Sequence, residues 1–257
     1  MYKFYTIPNL EILESIIGDK PTLKFSSAFN LNDPFELKFN LVIDPFASGQ
    51  EEAFLKSNSN NTVDDFKDWQ KQVAGNEGFN WYLEQKQRAH LSQLITICSF
   101  SKTNINNLMW SHYTNNHQGI CVEYSNSLFI KLKQARKYFL YNKVDYSALP
   151  PDILSLESEE TIIKKMIFNK QLEWQYEQEY RAVLMSNHDT DFISIEPNDI
   201  KSIYVGARAS NDIISNISSI CTRNNIEYYQ GICVGKTYEV QFEKPKNGTI
   251  YIKTFWS

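Results

Sequence analysis

Glu177 and Glu179 lie two residues apart in the run Trp174-Gln-Tyr-Glu-Gln-Glu-Tyr-Arg181, with an arginine two positions further on. Carboxylates at this spacing have two readings. They pair with Arg181 or Lys170 as structural ion pairs, Arg181 being suited to a bidentate contact. Alternatively, they do acid–base or electrostatic work at a site. Three other segments mix polar groups with aromatics: Lys3-Phe-Tyr-Thr6, Asn30 to Glu36, and Cys98 to Tyr113 followed by Asn116 to Gly119. The third holds Ser99, Ser101, Trp110, His112, Tyr113 and His117. His112 and His117 suit proton transfer or a phosphate contact, or else they bridge a helix-to-strand turn. Trp110 and Tyr113 are core anchors or stacking platforms. Asn30, Asn32 and Asp33 hydrogen-bond a turn around Pro34, or together with Glu36 they line a pocket. A nuclease reading needs a carboxylate–lysine cluster, and Glu177, Glu179 and Lys170 form a poor one. No GxGxxG, P-loop, GxSxG or kinase motif occurs, which argues against a doubly wound dinucleotide fold and the familiar nucleoside triphosphatases.

The elements that must position these residues are legible from periodicity. A strand over Tyr2 to Thr6 leads into a helix over Asn9 to Ile17, with Pro8 in its first turn and Gly18 at its end. Thr22 to Ser26 alternates as a strand, and Ser27 to Glu36 is a fixed turn. Residues 47–93 are polar, with helices near 50–57 and across 63–93 flanking a loop at Ser57 to Thr62, and Phe66, Trp69 and Val73 form an apolar stripe. Strands are expected over Leu94 to Phe100, Gly119 to Tyr124, Tyr138 to Tyr146, Glu179 to Met185, Ile200 to Val205, Ile226 to Val234 and Tyr238 to Phe242. Helices are expected over Leu108 to Tyr113, 127–136, Glu157 to Lys170 and Asn211 to Asn224. Without a repeat or linker, the simplest account is one α+β domain over residues 1–257. It has a central mixed or antiparallel sheet and a helical insertion at about 47–93.

Composition narrows the function. With 257 residues, 42% hydrophobic and 14% aromatic, the chain can bury a sizeable core. Its formal charge of −4 argues against extended nucleic-acid binding while leaving room for a local basic patch. No 18-residue apolar run is present, so no membrane span is expected. Acidic residues interrupt the N-terminal apolar stretch, unlike a signal peptide. Cys98, Cys121, Cys221 and Cys233 form no CxxC pair and read as buried thiols in a reducing cytoplasm. The histidines lack HExxH spacing, and no metal is assigned.

The segments occur in an order that carries a resemblance. Phe29-Asn-Leu-Asn-Asp-Pro-Phe-Glu36, Ser99-Phe-Ser101, Leu108-Met-Trp-Ser-His-Tyr113, His117-Gln-Gly-Ile-Cys-Val-Glu123, Trp174 to Arg181 and Ile203-Tyr-Val-Gly206 together resemble the family catalogued as domain of unknown function 2971, across about residues 2–206. That family is bacterial and is discussed beside phage-defence proteins of the abortive-infection type, which implies a role in defence or stress. Its name carries no activity.

A second resemblance implies chemistry. Tyr5-Thr6 before Asn9-Leu-Glu-Ile-Leu13, then Ser99-Phe-Ser101, then Glu177-Gln-Glu179 is similar to the motif order of ADP-ribosyltransferases. The usual first-strand Arg or His is replaced by Lys3 and Tyr5, and the Ser-x-Ser lacks its central Thr. The resemblance implies an ADP-ribosyltransferase-like fold with NAD as substrate, for transfer or for glycohydrolase cleavage. Glu179 would stabilise the oxocarbenium-like transition state. Glu177, expected on the same strand face, would orient or deprotonate an acceptor. Ser99 and Ser101 would hold the ribose, and Tyr5 or Trp110 would stack on a ring. Thr6, His112, Tyr113 and Arg181 complete the expected cofactor-binding set. A reading of another class is a non-catalytic ligand-sensing or protein-interaction module. The two differ in whether Tyr5, Ser99, Trp110, His112 and Glu179 meet at one open cleft, or Glu179 is tied up with Arg181.

Overall fold

In the computed structural model, which describes residues 1–245, strand β1 (Tyr2–Tyr5) leads past Pro8 into helix α1 (Leu10–Ile17). Asn9 caps α1 by accepting from the Ile12 amide, one of the N–H groups that a helix start leaves unpaired. Next come β2 (Thr22–Ser26), a 3-10 turn at Ala28–Asn30 and the short β3 (Asn40–Val42). The polar stretch expected to be helical forms α2 (Gln50–Ser57), α3 (Val63–Val73) and α4 (Glu77–Leu94). Its apolar stripe does what its spacing requires: Phe66 and Val73 are buried, and Phe66 stacks on Trp69 at 5.7 Å. The middle of the chain supplies β4 (Ile95–Ser101), α5 (Asn107–Tyr113), β5 (Ile120–Tyr124), α6 (Asn126–Ala135), β6 (Phe139–Lys143), β7 (Asp145–Ser147), β8 (Asp152–Leu154), α7 (Glu159–Ile167) and β9 (Asn169–Gln171). A 3-10 helix at Leu172–Glu177 leads into β10 (Glu179–Met185), followed by β11 (Thr190–Ser194), β12 (Ile200–Val205), α8 (Asn211–Asn224), β13 (Glu227–Cys233) and β14 (Val240–Glu243).

The result is a mixed α/β fold around a mixed sheet. Its order is β11-β2-β4-β1-β5-β12-β13-β14, and β10 and then β6 add to the other edge of β4. β12 and β13 run parallel and the other ladders of this sheet are antiparallel. One face is covered by α1, α6 and α8. Leu13, Ile17, Leu128, Ile217 and Ile220 pack there with Cys98, Phe100, Ala182 and Leu184 of β4 and β10. Because side chains alternate along a strand, the other face of β4 and β10 presents Ile97, Ser99 and Ser101 beside Glu179, Arg181 and Val183. The register sets Glu179 opposite Ser101 and Arg181 opposite Ser99.

Three expectations are corrected. The helical stretch from Glu157 to Lys170 ends at Ile167, and Asn169–Gln171 pairs instead with β7. The strand from Tyr138 to Tyr146 breaks at Val144, whose amide bonds to the Glu179 carbonyl, so the chain turns away into β7. Cys98, Cys121 and Cys221 are buried, but Cys233 is exposed on β13. Among the described residues no helix is long and apolar enough to cross a membrane.

Candidate functional site

β4 is fully laddered to β10 on one edge, but on its other edge it meets β2 at Ile97 and β1 at Ser101. Between those two points β1 and β2 part, and the sheet splits. The Ser99 carbonyl lies in the split and takes a hydrogen bond from the Lys3 ammonium at 3.0 Å instead of from a strand. That contact answers the requirement that a sheltered carbonyl find a donor. Lys3 sits 5.6 and 5.7 Å above the Tyr5 and Phe100 rings, where aromatic faces stabilise a cation.

A cavity of about 310 Å³ opens at this split. It is at the small end of the roughly 300–1,000 Å³ of small-molecule sites. Tyr2 to Thr6 form one wall, and Ile97 and Ser99 to Ser101 another. Leu31, Asn32, Met109 and Tyr113 close the side, and Glu36, Lys170, Glu177 and Glu179 lie at the floor.

The floor is a buried charge network. Arg181 has 0% exposure. Its Nε donates to Glu179 Oε1 at 2.8 Å, its Nη2 to Glu36 Oε1 at 2.7 Å and to Glu179 Oε2 at 3.2 Å, and its Nη1 to the Ile167 carbonyl at 2.7 Å. Lys170 Nζ donates to Glu177 Oε2 at 2.7 Å, and lies 3.4 Å from Glu179 and 3.6 Å from Glu36. The same ammonium sits 4.7 Å over the Trp174 ring. Tyr113 donates its hydroxyl to Glu177 Oε1 and accepts from Asn32 Nδ2 at 2.8 Å. Ser101 Oγ holds the Glu177 carbonyl at 2.7 Å, and Tyr146 accepts the Glu179 amide at 2.8 Å. Three carboxylates thus share two cations. Glu36 Oε2 has no hydrogen-bond partner among the described residues.

This imbalance separates the carboxylates electrostatically. Burial alone would raise the Glu179 carboxyl, but the Arg181 guanidinium and Lys170 ammonium outweigh it and bring it down to about 2. Burial wins for Glu177, which is raised despite Lys170. It wins also for Glu36, raised despite Arg181 and further by Glu179. Burial lowers Lys170, yet the surrounding carboxylates hold it above the ordinary lysine range. Two neighbouring carboxylates therefore have opposite proton affinities, the arrangement that divides roles in acid–base sites.

Backbone geometry aims these groups. Glu177 is not on a strand: it ends the 3-10 helix, and Gln178 at φ 45° turns the chain before β10 begins. Its carboxylate reaches Glu179's surroundings through Lys170, not by strand alternation. Leu37, beside Glu36, is also left-handed at φ 60°, a rare conformation for a bulky residue. Arg88 Nε anchors that turn on the Glu36 carbonyl at 2.7 Å.

Of the sequence-selected residues, Tyr5, Thr6, Ser99, Ser101, Tyr113, Glu177 and Glu179 line the cavity. Tyr5 also bonds Tyr124 hydroxyl to hydroxyl at 2.7 Å. Trp110 does not line it. It is 1% exposed, edge-on to Phe4 at 5.2 Å, with its Nε1 donating to the Asn104 carbonyl. His112 is exposed outside the cavity, and its Nδ1 pairs with the Tyr176 hydroxyl at 3.0 Å. Arg181 stands behind Glu179 instead of in the wall. His117 stacks on Trp110, and its carbonyl accepts from the Arg208 amide. Gly119 is required by a close approach, since a Cβ there would lie 2.0 Å from the Tyr5 carbonyl oxygen. The open-cleft expectation is thus met for Tyr5, Ser99 and Glu179 and not for Trp110 and His112. The ion pair with Arg181 expected of the binding module is present as well.

Lys170 is the partner of Glu177 and Glu179 that the sequence offers beside Arg181, but its apparent place in a helix hides its approach to Glu36 and so its position as the hub. Lys3 as the partner of the Ser99 carbonyl is not anticipated. Lys3 carried no signal beyond its position on the first strand. Among the described residues no cluster of His, Cys, Asp and Glu is arranged to hold a metal ion.

The molecule is thus a mixed α/β protein whose split sheet encloses a carboxylate-floored cavity. Residues 109–182 match the family model described as Protein of unknown function (DUF2971). The matched segment contributes Tyr113, Lys170, Glu177, Glu179 and Arg181 to the site, whereas the Asn32 to Glu36 turn and β1 lie outside it. No curated protein and no solved structure matches the chain.

Proposed function

We propose that the cavity uses NAD as a substrate, in ADP-ribosyl transfer or NAD hydrolysis, within an ADP-ribosyltransferase-like fold. The observation that carries this reading is the strand order β10-β4-β1, which sets Glu179, Ser99 with Ser101, and Tyr5 around one cavity. Loss of nicotinamide from the ribose takes the bonding pair with the leaving ring and leaves positive charge at the ribose carbon. Glu179, ionised at all physiological pH values, supplies a fixed negative charge for that centre. Glu177, with its raised proton affinity, suits accepting the proton that an attacking hydroxyl or water releases. Lys170 and Arg181 hold both carboxylates in place, so little reorganisation accompanies the charge change. A role in defence or stress accords with the family resemblance.

The test is incubation with NAD labelled in the adenosine portion and with candidate protein, nucleic-acid and small-molecule acceptors, comparing wild type with Glu179→Gln. Label transfer or nicotinamide release that disappears in the variant supports the reading, and equal background in both sinks it. One observation favours a second reading, the ligand-sensing module: Arg181 and Lys170 engage both Glu179 oxygens. That module would show ligand-dependent melting shifts with no turnover.

A further inference from the structure

The surface formed by α6 and β6 has a charge opposite to that of the chain. From Tyr124 to Val144 there is no Asp or Glu, while Lys131, Lys133, Arg136, Lys137 and Lys143 bring five cations into a protein of net charge −4. All five are exposed. Lys131 is engaged by Asp199 at 2.6 Å. Lys133, Arg136, Lys137 and Lys143 have no ion-pair partner among the described residues, and residues 246–257 contain no acidic side chain. Charges left uncompensated this close together repel one another, and a bound polyanion relieves that repulsion.

Three further features point to the kind of polyanion. The apolar face of α6, Leu128, Phe129 and Leu132, is buried in the core, and Ile130 is the one large apolar side chain the helix exposes, so it has no apolar stripe to insert into a bilayer. Tyr138 is 60% exposed, with the Lys137 ammonium 5.1 Å above its ring, a flat platform beside a cation. β6 is laddered to β10 on one edge and to no strand on the other among the described residues, which leaves an open strand edge where the Lys143 amide donates to Asn142 Oδ1. Cations, an exposed aromatic face and an open strand edge together suit phosphates and unstacked bases.

We infer that the α6–β6 surface binds single-stranded nucleic acid, with Lys133, Arg136, Lys137 and Lys143 on phosphates and Tyr138 stacking on a base. The acidic overall charge argues against an extended footprint, and these four cations define a local one of four phosphates. This inference stands apart from the NAD reading, because the test contains no NAD.

The experiment is fluorescence anisotropy of the full chain with short labelled single-stranded DNA and RNA of mixed sequence, across a salt series. Four phosphate contacts predict that affinity falls about 50-fold between about 50 and 200 mM monovalent salt, from a single-strand slope of about 0.7 per contact. The triple variant K133E/R136E/K137E, at exposed positions and verified as folded by its melting profile, should bind more than tenfold more weakly and lose most of the slope. Tyr138→Ala should weaken binding of single strands without changing the slope. Absence of binding at the lowest salt overturns the inference. So does an unchanged slope in the triple variant, tighter binding of a duplex of equal length, or preferential binding of mixed phosphatidylcholine–phosphatidylserine vesicles.

Discussion

Arg181→Leu is the perturbation that most severely tests the charge network. The guanidinium is fully buried and makes four hydrogen bonds, three to Glu36 and Glu179 and one to the Ile167 carbonyl. Its removal leaves three carboxylates around a single ammonium, with Lys170 3.4 Å from Glu179 and 3.6 Å from Glu36. Breaking a buried pair by deleting one partner costs about 3–5 kcal/mol. That is a large share of the roughly 5–15 kcal/mol that keeps a domain folded. The loss should also depend on pH in a definite direction. Without Arg181 the folded-state pKa values of Glu36 and Glu179 rise, so protonation relieves the variant and its deficit should shrink as pH falls from 7 towards 4. Urea unfolding of wild type and variant at both pH values measures this. A deficit below about 1 kcal/mol at pH 7, or one equal at both pH values, would refute the account of a dry, mutually dependent network.

Four other outcomes follow from the same geometry. The Glu179 pKa is depressed in the folded state, so its contribution is complete above the ordinary value of 4.5 and is lost as pH falls towards about 2. The amount is on the order of 3 kcal/mol, read as an acid-side fall in melting temperature that a Glu179→Gln variant lacks. Lys3→Met deprives the Ser99 carbonyl of its donor and should cost about 1–3 kcal/mol in urea unfolding, since a sheltered acceptor is left unpaired. Tyr113→Phe removes the hydroxyl that joins Asn32 to Glu177, and hydrogen exchange should speed up across residues 31–36 while the β4–β10 ladder keeps its protection. Gly119→Ala drives a methyl group against the Tyr5 carbonyl, so thermal melting should fall sharply, whereas Gly235→Ala, with open space around it, should leave the melt unchanged.

Periodicity resolved the elements that bury one regular face. Asn211–Asn224 and Thr22–Ser26 have the boundaries that their spacing indicates, because each repeats apolar residues at a single period over a buried face; Ile200–Val205 also has its expected boundaries, although a bulge between Ile200 and Ser202 breaks its alternation. The elements that escaped had no such stripe. β3 and β8 are three residues each and pair with one another, and β11 buries Ile193 while Phe192 is 65% exposed. Asn169–Gln171 was hidden behind a helical pattern because Lys170, a charged residue, is the one that points inward. The site was legible as a set of segments but not as a site. Glu177, Glu179 and Arg181 are neighbours in the chain, whereas the contacts that complete the network join Arg181 to Glu36 across 145 positions and Asn32 to Tyr113 across 81. Residue spacing carries no information about contacts made by folding. It also could not distinguish Trp110, a core residue, from a cavity wall, because both uses need the same side chain.

The claim that Glu179 acts on NAD is most directly tested by following nicotinamide release from NAD by wild type and by Glu179→Asp. The aspartate keeps the charge that Arg181 and Lys170 require while withdrawing the carboxylate from the cavity, so loss of activity is separated from loss of fold. Wild type should release nicotinamide, and the folded variant should do so at least about a hundredfold more slowly. Equal release by both proteins, or none by wild type with every class of acceptor supplied, would contradict it.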